Sequence, residues 1–248
     1  MANPADHTLA ADLATQAGEL LLAVRAELAG SDGKTMKDEG DRRSHEFLMA
    51  LLGEHRPDDA VLSEEGKDDL ERLAAERVWI VDPLDGTREF GEPPRTDWAV
   101  HVALVEAGAP TAGAVALPGL GMTLHSGEPA VVPAAPEGGP RIICSRTRPG
   151  PAAERLAEAL DGELIYMGSA GAKAMAVVRG EADIYAHTGG QYEWDSCAPV
   201  AVAHAAGLSA TRLDGSPLTY NNEDSYLPDL LICRPELTEA VLGALVGE

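Results

Sequence analysis

The sequence predicts an α+β half followed by an α/β half. Apolar residues at helical spacing near the N-terminus are followed by short apolar runs separated by Gly and Pro, a pattern typical of antiparallel strands. A Pro- and Gly-rich segment, 128–140, then leads into a region where strand-like and helical segments alternate. We therefore expect residues 1–138 to form the α+β half and residues 139–248 to form the α/β half.

Two amphipathic helices are predicted first. Apolar spacing predicts one helix over 7–29 and another over 41–52, with Asp41 in the N-cap position of the second. A short strand over 60–62 opens into acidic residues, and a helical stretch over 68–77 leads into the next strand.

The strands that follow are predicted from apolar runs. Residues 78–81 indicate a buried strand that Pro83 ends, so that Asp82 and Asp85 project from its end. Three more runs predict antiparallel strands over 98–105, 112–117 and 122–125. In the second half we expect strands over 141–144, 164–167 and 182–186, and helices over 152–160, 170–179 and 196–206.

Composition excludes several classes of partner. The 248 residues are 45% hydrophobic, enough to bury a substantial core, and carry a formal charge of −22. Such a charge repels nucleic acid polymers and anionic membranes. The N-terminus has no signal-peptide pattern, no segment is long enough to span a bilayer, and Cys144, Cys197 and Cys233 lack metal-type spacing. We expect a cytoplasmic protein with reduced thiols.

Residues 79–87 contain groups that can bind a metal ion and a phosphate. Asp82 and Asp85 offer hard oxygen ligands of the kind that Mg²⁺ prefers, and Gly86 and Thr87 can turn backbone N–H groups toward an anion at a helix start. The alternative is a plain turn, because Asp-Pro and Asp-Gly pairs are common turn formers. A haloacid dehalogenase mechanism would need a nucleophilic Asp two residues before Asp85, where Pro83 stands.

Other acidic residues lie at the ends of predicted elements. Glu64 follows a strand, and Asp195 precedes the helix that contains Pro199. With Asp82 and Asp85 they supply enough carboxylates for two divalent ions. Taken alone, Asp195 could be a helix cap and Glu64 a solvated strand end.

The chain resembles the inositol monophosphatase superfamily of Mg²⁺-dependent phosphatases. The resemblance is carried in the family's order by four segments, which are 62–65 (LSEE), 79–87 (WIVDPLDGT), 168–173 (GSAGAK) and 193–198 (EWDSCA). It implies a layered αβαβα sandwich of the sugar-phosphatase type. Residues 88–90, 189–193 and 214–221 look like the branch of CysQ-type 3′(2′),5′-bisphosphate nucleotidases, which convert 3′-phosphoadenosine 5′-phosphate to AMP in sulfate assimilation.

The resemblance also implies roles for single residues. One Mg²⁺ would be held by Glu64, Asp82, Asp85 and the Leu84 carbonyl, and a second by Asp82, Asp85 and Asp195. A third ion near Glu64 is left open, because the segment before Asp41 is shorter than in the family.

A water nucleophile would be held by Asp41, Thr87 and Glu64 for in-line attack on the phosphate. The substrate would be a small phosphorylated molecule, and a homodimer is compatible with the sequence. The expected substrate contacts are Gly86, Thr87, Ser145, Arg146, Ser169, Lys173 and Tyr192.

Three alternatives remain open at this point. The same scaffold could hydrolyse inositol 1-phosphate or fructose 1,6-bisphosphate, because substrate pocket residues separate these activities and the metal ligands do not. The third alternative is that the protein is a non-catalytic sensor of an anion or a metal. His101, His187 and His204 are expected to be packed or at the surface. Tyr192, Trp194 and Tyr220 are candidates for an adenine shelf, and the alternative for each is a core residue.

Overall fold

Two five-stranded sheets organise the chain, and the structure, a computed structural model, describes residues 2–68 and 70–246. The helices of this part are α1 Pro4–Glu27, α2 Gly33–His55, α3 Thr87–Phe90, α4 Pro151–Ala159, α5 Ala170–Val178, α6 Glu193–Ala205 and α7 Thr238–Val246. The strands are β1 Ala60–Ser63, β2 Arg77–Asp85, β3 Ala99–Glu106, β4 Ala109–Leu117, β5 Met122–His125, β6 Arg141–Ser145, β7 Glu163–Met167, β8 Ile184–Tyr192, β9 Ser209–Thr211 and β10 Tyr226–Cys233.

Both sheets are mixed. The first has the order β1-β2-β3-β4-β5, in which β1 is parallel to β2 and the other pairs are antiparallel. The second has the order β7-β6-β8-β10-β9, in which β6 is parallel to β7 and β8. Strands β10 and β9 run antiparallel to their neighbours. The predicted α/β alternation thus corresponds to the three parallel strands of this second sheet.

Alternation along β2 explains how the layers stack. Trp79 and Val81 enter a core with α1 and α2, whereas Val78 and Ile80 enter a second core with α5 and α6. The far side of α5 and α6 packs on the second sheet, whose outer face is covered by α4 and α7. The order helix, sheet, helix, sheet, helix confirms the expected αβαβα sandwich.

The middle layer connects the two halves. Helices α5 and α6 follow residue 138 in the chain, yet they pack on the sheet built from residues before it. Residues 126–140 contain no helix or strand and link the two sheets. The division at 138 and 139 stays a prediction, because the shared core crosses it.

Helix α2 begins eight residues earlier than predicted. Asp32 is its N-cap and accepts N–H bonds from Lys34 at 3.0 Å and Thr35 at 2.9 Å. The assignment of Asp41 as the N-cap is therefore wrong, and Asp41 lies inside the helix. The buried Met36 gives the first turns an apolar contact that outweighs their polar composition.

A second correction concerns residues 68–77. Within the described part, which excludes residue 69, only a 3₁₀ turn at Glu71–Ala74 forms there. The buried Arg72 bonds the Asp68 carboxylate at 2.7 Å and the Asn221 side chain at 2.8 Å. The tertiary contact with Asn221, together with the left-handed backbone of Leu70, replaces the predicted helix.

Pro83 does not end β2, which continues to Asp85. The pairing with β3 is irregular between Asp82 and Asp85, where a residue without an N–H can be accommodated in a strand. Helix α6 likewise starts at Glu193 instead of Ser196. Both corrections concern backbone that carries predicted ligands.

Two further expectations can be compared with the structure. No helix of residues 2–68 and 70–246 combines the length and apolar character needed to cross a bilayer. Cys144, Cys197 and Cys233 are buried and free of disulfides, in agreement with the expectation of reduced thiols.

Candidate metal and phosphate site

Three carboxylates meet at the middle layer of the sandwich. Asp82 and Asp85 lie at the irregular end of β2, and Asp195 lies in the first turn of α6, where it accepts the Tyr192 N–H at 2.7 Å. One oxygen of each lies within 4.8 Å of the others. Glu64 follows β1, the strand next to β2, and its carboxyl group shares a hydrogen bond with Asp82.

The cluster concentrates negative charge where water is scarce. Burial, followed by the charges of Glu64, Asp85 and Asp195, raises the pKa of Asp82 far above its usual range. Burial and the charge of Asp85 raise the pKa of Asp195 to about 6. Glu64 reaches solvent, yet burial of its carboxyl group and the charges of Asp195 and Asp85 raise its pKa to about 7. Such acids lose their protons readily beside a cation, so the donor set fits a hard divalent ion.

Asp85 is held in a different way. Burial raises its pKa, but hydrogen bonds from His101 and Ser169 outweigh that effect and hold it below the usual range. The N–H groups of Ala170 and Gly171 also donate to it, at 3.0 and 2.6 Å, at the start of α5. This carboxylate thus joins the first sheet to the middle helical layer and is ionised by local donors.

Thr87 lies between two acceptors. Its hydroxyl oxygen lies 3.1 Å from the Leu84 carbonyl and within hydrogen-bonding reach of Asp41, so its single proton can be donated to either acceptor. Burial and the charges of Glu65 and Glu64 raise the pKa of Asp41 to about 7, against this hydrogen bond. Helix α2 therefore brings Asp41 beside the Gly86-Thr87 turn although Asp41 is not a helix cap.

Gly86 cannot be replaced without strain. Its φ of +81° lies in the left-handed region, and a Cβ there would meet the Ser169 Cβ at 2.9 Å. The close approach lets the turn after β2 contact the start of α5.

A cavity of about 490 Å³ opens beside the carboxylates. Of the predicted residues it is lined by Glu64, Asp85, Gly86, Thr87, Ser145, Ser169, Lys173, Tyr192 and Asp195. Lys173 is buried, donates to the Ser169 carbonyl, and holds its Nζ 5.3 Å from the centre of the Tyr185 ring. Lys173 is therefore a buried residue of the cavity wall and not a solvated surface residue.

Arg146 is the predicted contact that does not line this cavity. Its guanidinium pairs with Glu89 at 2.6 Å and with Glu92 at 2.7 Å. Glu89 is buried and needs a cationic partner. Arg148, two residues later, lines the cavity instead, and within the described residues neither it nor Arg88 forms an ion pair.

Sequence reasoning overlooked several residues of the site. His101, expected to be packed or at the surface, is buried, and its Nε2 lies 3.3 Å from the Asp85 carboxylate and its Nδ1 2.9 Å from the Trp194 carbonyl. The pairing register of β2 and β3, which places His101 opposite Asp82, is the feature that could have identified His101 as a site residue. Tyr185 and Gln191, both on β8, also line the cavity; Tyr185 lies in no predicted motif, and Gln191 lies in segment 189–193 without having been assigned a contact.

Aromatic residues border the cavity on β8 and α6. The rings of Tyr192 and Trp194 are stacked, with centroids 4.8 Å apart and planes inclined by 8°. Tyr220 is buried in the core and its hydroxyl lies 3.1 Å from that of Ser196. The shelf candidates therefore reduce to Tyr192 and Trp194.

Comparison with known proteins agrees with this geometry. The chain is 52% identical over 237 residues to the 3′-phosphoadenosine 5′-phosphate phosphatase of Mycobacterium bovis, covering 92% of this chain and 89% of that protein. It is 29% identical over 234 residues to the 3′(2′),5′-bisphosphate nucleotidase CysQ of Escherichia coli K12, covering 87% and 94%. The crystal structure of CysQ from Bacteroides thetaiotaomicron superposes with a TM-score of 0.81 at 29% identity, covering 93% of this chain and 97% of that one.

The family model for inositol monophosphatases matches residues 5–138 and 140–246. This match spans both sheets and every residue of the carboxylate cluster. The chain belongs to the inositol monophosphatase family.

Proposed function

We propose that this chain is a Mg²⁺-dependent phosphatase that hydrolyses 3′-phosphoadenosine 5′-phosphate to AMP and phosphate, in sulfur assimilation in the cytoplasm. The observation that carries the proposal is a single cavity lined both by Glu64, Asp85 and Asp195 of the carboxylate cluster and by Lys173, Arg88 and Arg148. Within residues 2–68 and 70–246 neither arginine pairs with an acidic side chain, which is notable in a chain of charge −22. They suit a substrate that carries a second phosphate.

We assign the metal site to Glu64, Asp82, Asp85, Asp195 and the Leu84 carbonyl, for two ions with a third left open. Bound Mg²⁺ would neutralise the phosphate charge and make water acidic enough to attack near neutral pH. The close carboxylate oxygens of Asp82, Asp85 and Asp195, together with the raised pKa values of Asp82 and Asp195, support this assignment.

The chain's own residues would orient the reaction. Asp41, with a pKa of about 7, can accept a proton from water, and Thr87 can align that water. The N–H groups of Gly86 and Thr87 would face the phosphate oxygens, and Ser169 would hold Asp85 in place. Ser145, Arg148 and Tyr192 would contact the leaving nucleotide, whereas Arg146 would act only by holding Glu89.

Phosphate release from three substrates tests the proposal. We expect hydrolysis of 3′-phosphoadenosine 5′-phosphate to exceed that of inositol 1-phosphate and fructose 1,6-bisphosphate, to stop with a chelator, and to return with Mg²⁺. Equal or faster release from inositol 1-phosphate would contradict the nucleotide assignment.

The variant Asp195→Asn tests the site itself. Loss of one charge from the cluster should lower kcat by at least about 100-fold, as loss of a single preorganised electrostatic contact does in other enzymes. Exposed Asp214→Asn is the matched control and should keep normal turnover. Binding of phosphate esters without any hydrolysis by the wild type would favour the sensor.

A further inference from the structure

Two buried side chains of the cavity have hydrogen-bonding capacity that the protein leaves unused. Tyr185 is 1% exposed and Gln191 is 6% exposed, and both lie on β8. The Gln191 Nε2 lies 3.0 Å from the Tyr185 hydroxyl. The Gln191 Oε1 is buried and has no hydrogen-bond partner within residues 2–68 and 70–246. An unpaired buried acceptor of this kind destabilises the fold, so its presence in a cavity wall points to a ligand.

The pair offers one donor and one acceptor, whichever way the amide is turned. When Nε2 donates to the tyrosine oxygen, the tyrosine O–H is free to donate and the Oε1 is free to accept. When the amide is rotated by half a turn, Nε2 becomes the free donor and the tyrosine oxygen the free acceptor. The matching ligand group must both accept and donate, as an alcohol hydroxyl does.

Contacts connect the pair to both parts of the site. Lys173 lies over the Tyr185 ring and bonds Ser169, which in turn donates to Asp85. The charges of Asp85 and Asp195 act on the Tyr185 hydroxyl. Gln191 directly precedes Tyr192, whose ring stacks on Trp194. A hydroxyl held here would therefore belong to the sugar, next to the reacting ester.

We propose that Gln191 and Tyr185 bind the substrate hydroxyl that neighbours the phosphorylated carbon, and so select a ribonucleotide 3′-phosphate over its 2′-deoxy counterpart. The inference rests on the proposed function and adds a requirement for a vicinal hydroxyl. The 2′-hydroxyl would accept from one member of the pair and donate to the other.

The test compares adenosine 3′,5′-bisphosphate with 2′-deoxyadenosine 3′,5′-bisphosphate. We expect wild-type kcat/KM to be about 10- to 100-fold higher for the ribose substrate, the range that one or two buried hydrogen bonds supply. Gln191→Leu should lower kcat/KM for the ribose substrate by that factor and leave the deoxyribose substrate within about twofold of the wild type.

Two controls separate this role from folding. Tyr185→Phe should also reduce the ribose preference. Gln191→Glu, which keeps an acceptor, should retain more of this preference than Gln191→Leu does. Tyr166→Phe, at an exposed tyrosine on β7 that does not line the cavity, should change neither substrate. Calorimetric binding of AMP and 2′-deoxy-AMP gives a second readout, in which wild type but not Gln191→Leu prefers AMP.

The outcomes distinguish the inference from the function on which it rests. Equal wild-type turnover of both bisphosphates would overturn the inference and leave the function intact. Turnover of neither would overturn both. A Gln191→Leu variant that keeps its ribose preference but no longer prefers adenosine to guanosine 3′,5′-bisphosphate would show that the pair reads the base, and would overturn the hydroxyl assignment.

Discussion

At the scale of single residues, Arg146 and Arg148 are two positions apart in the sequence but make different contacts in the structure. Arg146 follows β6, and its backbone N–H bonds Met167 while its guanidinium is occupied by Glu89 and Glu92. Arg148 lies two positions further along and lines the cavity. After burial and the charge of Lys173, the charge of Arg148 also lowers the pKa of the half-buried His187. The sequence predicted Arg146 as a substrate contact, whereas the folded chain favours Arg148 in that role.

A matched pair of variants checks this difference. Arg148→Met should lower kcat/KM for 3′-phosphoadenosine 5′-phosphate by about 10- to 100-fold, because a charged hydrogen bond to the second phosphate is lost. The same variant should hydrolyse 3′-AMP, which lacks that phosphate, like the wild type. Arg146→Met should instead lower the melting temperature, since Glu89 remains buried without its partner. An equal loss for both substrates in Arg148→Met would argue against a phosphate contact.

At the scale of elements, tertiary packing positions helix α2 and with it Asp41, although helix propensity alone does not favour this helix. Gly40 lies inside the helix, where glycine is unfavourable, yet a Cβ there would meet the Phe90 ring at 2.7 Å and Leu84 at 3.0 Å. Phe90 is fully buried and in edge contact with Trp98 at 5.0 Å, so it cannot move aside. Close approach of α2 to α3 therefore requires the glycine and brings Asp41 beside Thr87.

Two glycines of the same helix give opposite predictions. Gly40→Ala should destabilise the fold by about 1–3 kcal/mol through overpacking. Gly53→Ala, where the new methyl meets nothing within 4 Å, should stabilise it by about 0.5–1 kcal/mol. Denaturant unfolding of both variants measures the difference. A stabilising Gly40→Ala would mean that the contact with Phe90 is looser than the structure describes.

At the scale of the whole molecule, the carboxylate cluster couples folding to pH. The pKa values of Asp41 and Glu64 are raised to about 7 and that of Asp195 to about 6. Between roughly pH 4 and pH 7 the folded state therefore binds more protons at these groups than the unfolded chain does. Their contribution to stability is present at low pH and is lost as the pH rises through this window.

The melting temperature with and without Mg²⁺ measures this coupling. Without Mg²⁺ we expect the wild type to lose more stability from pH 5 to pH 8 than Asp195→Asn does, because the variant lacks one raised carboxyl group. Millimolar Mg²⁺ should raise the melting temperature of the wild type more at pH 8 than at pH 5, since cations bind the ionised form. A Mg²⁺ effect that is equal at both pH values would contradict a site made of these carboxylates.

The sequence by itself determined the order of strands and helices over 141–206, the αβαβα class through its family likeness, and the residue types around Asp82 and Asp85. These properties depend on local periodicity and on short motifs, which are readable within one segment. The start of α2, the 3₁₀ turn at Glu71–Ala74 and the contacts of Arg146, Arg148 and Gln191 were decided only by the tertiary structure. Each depends on partners distant in the chain, because burial fixes which side chain must be paired and which faces the cavity.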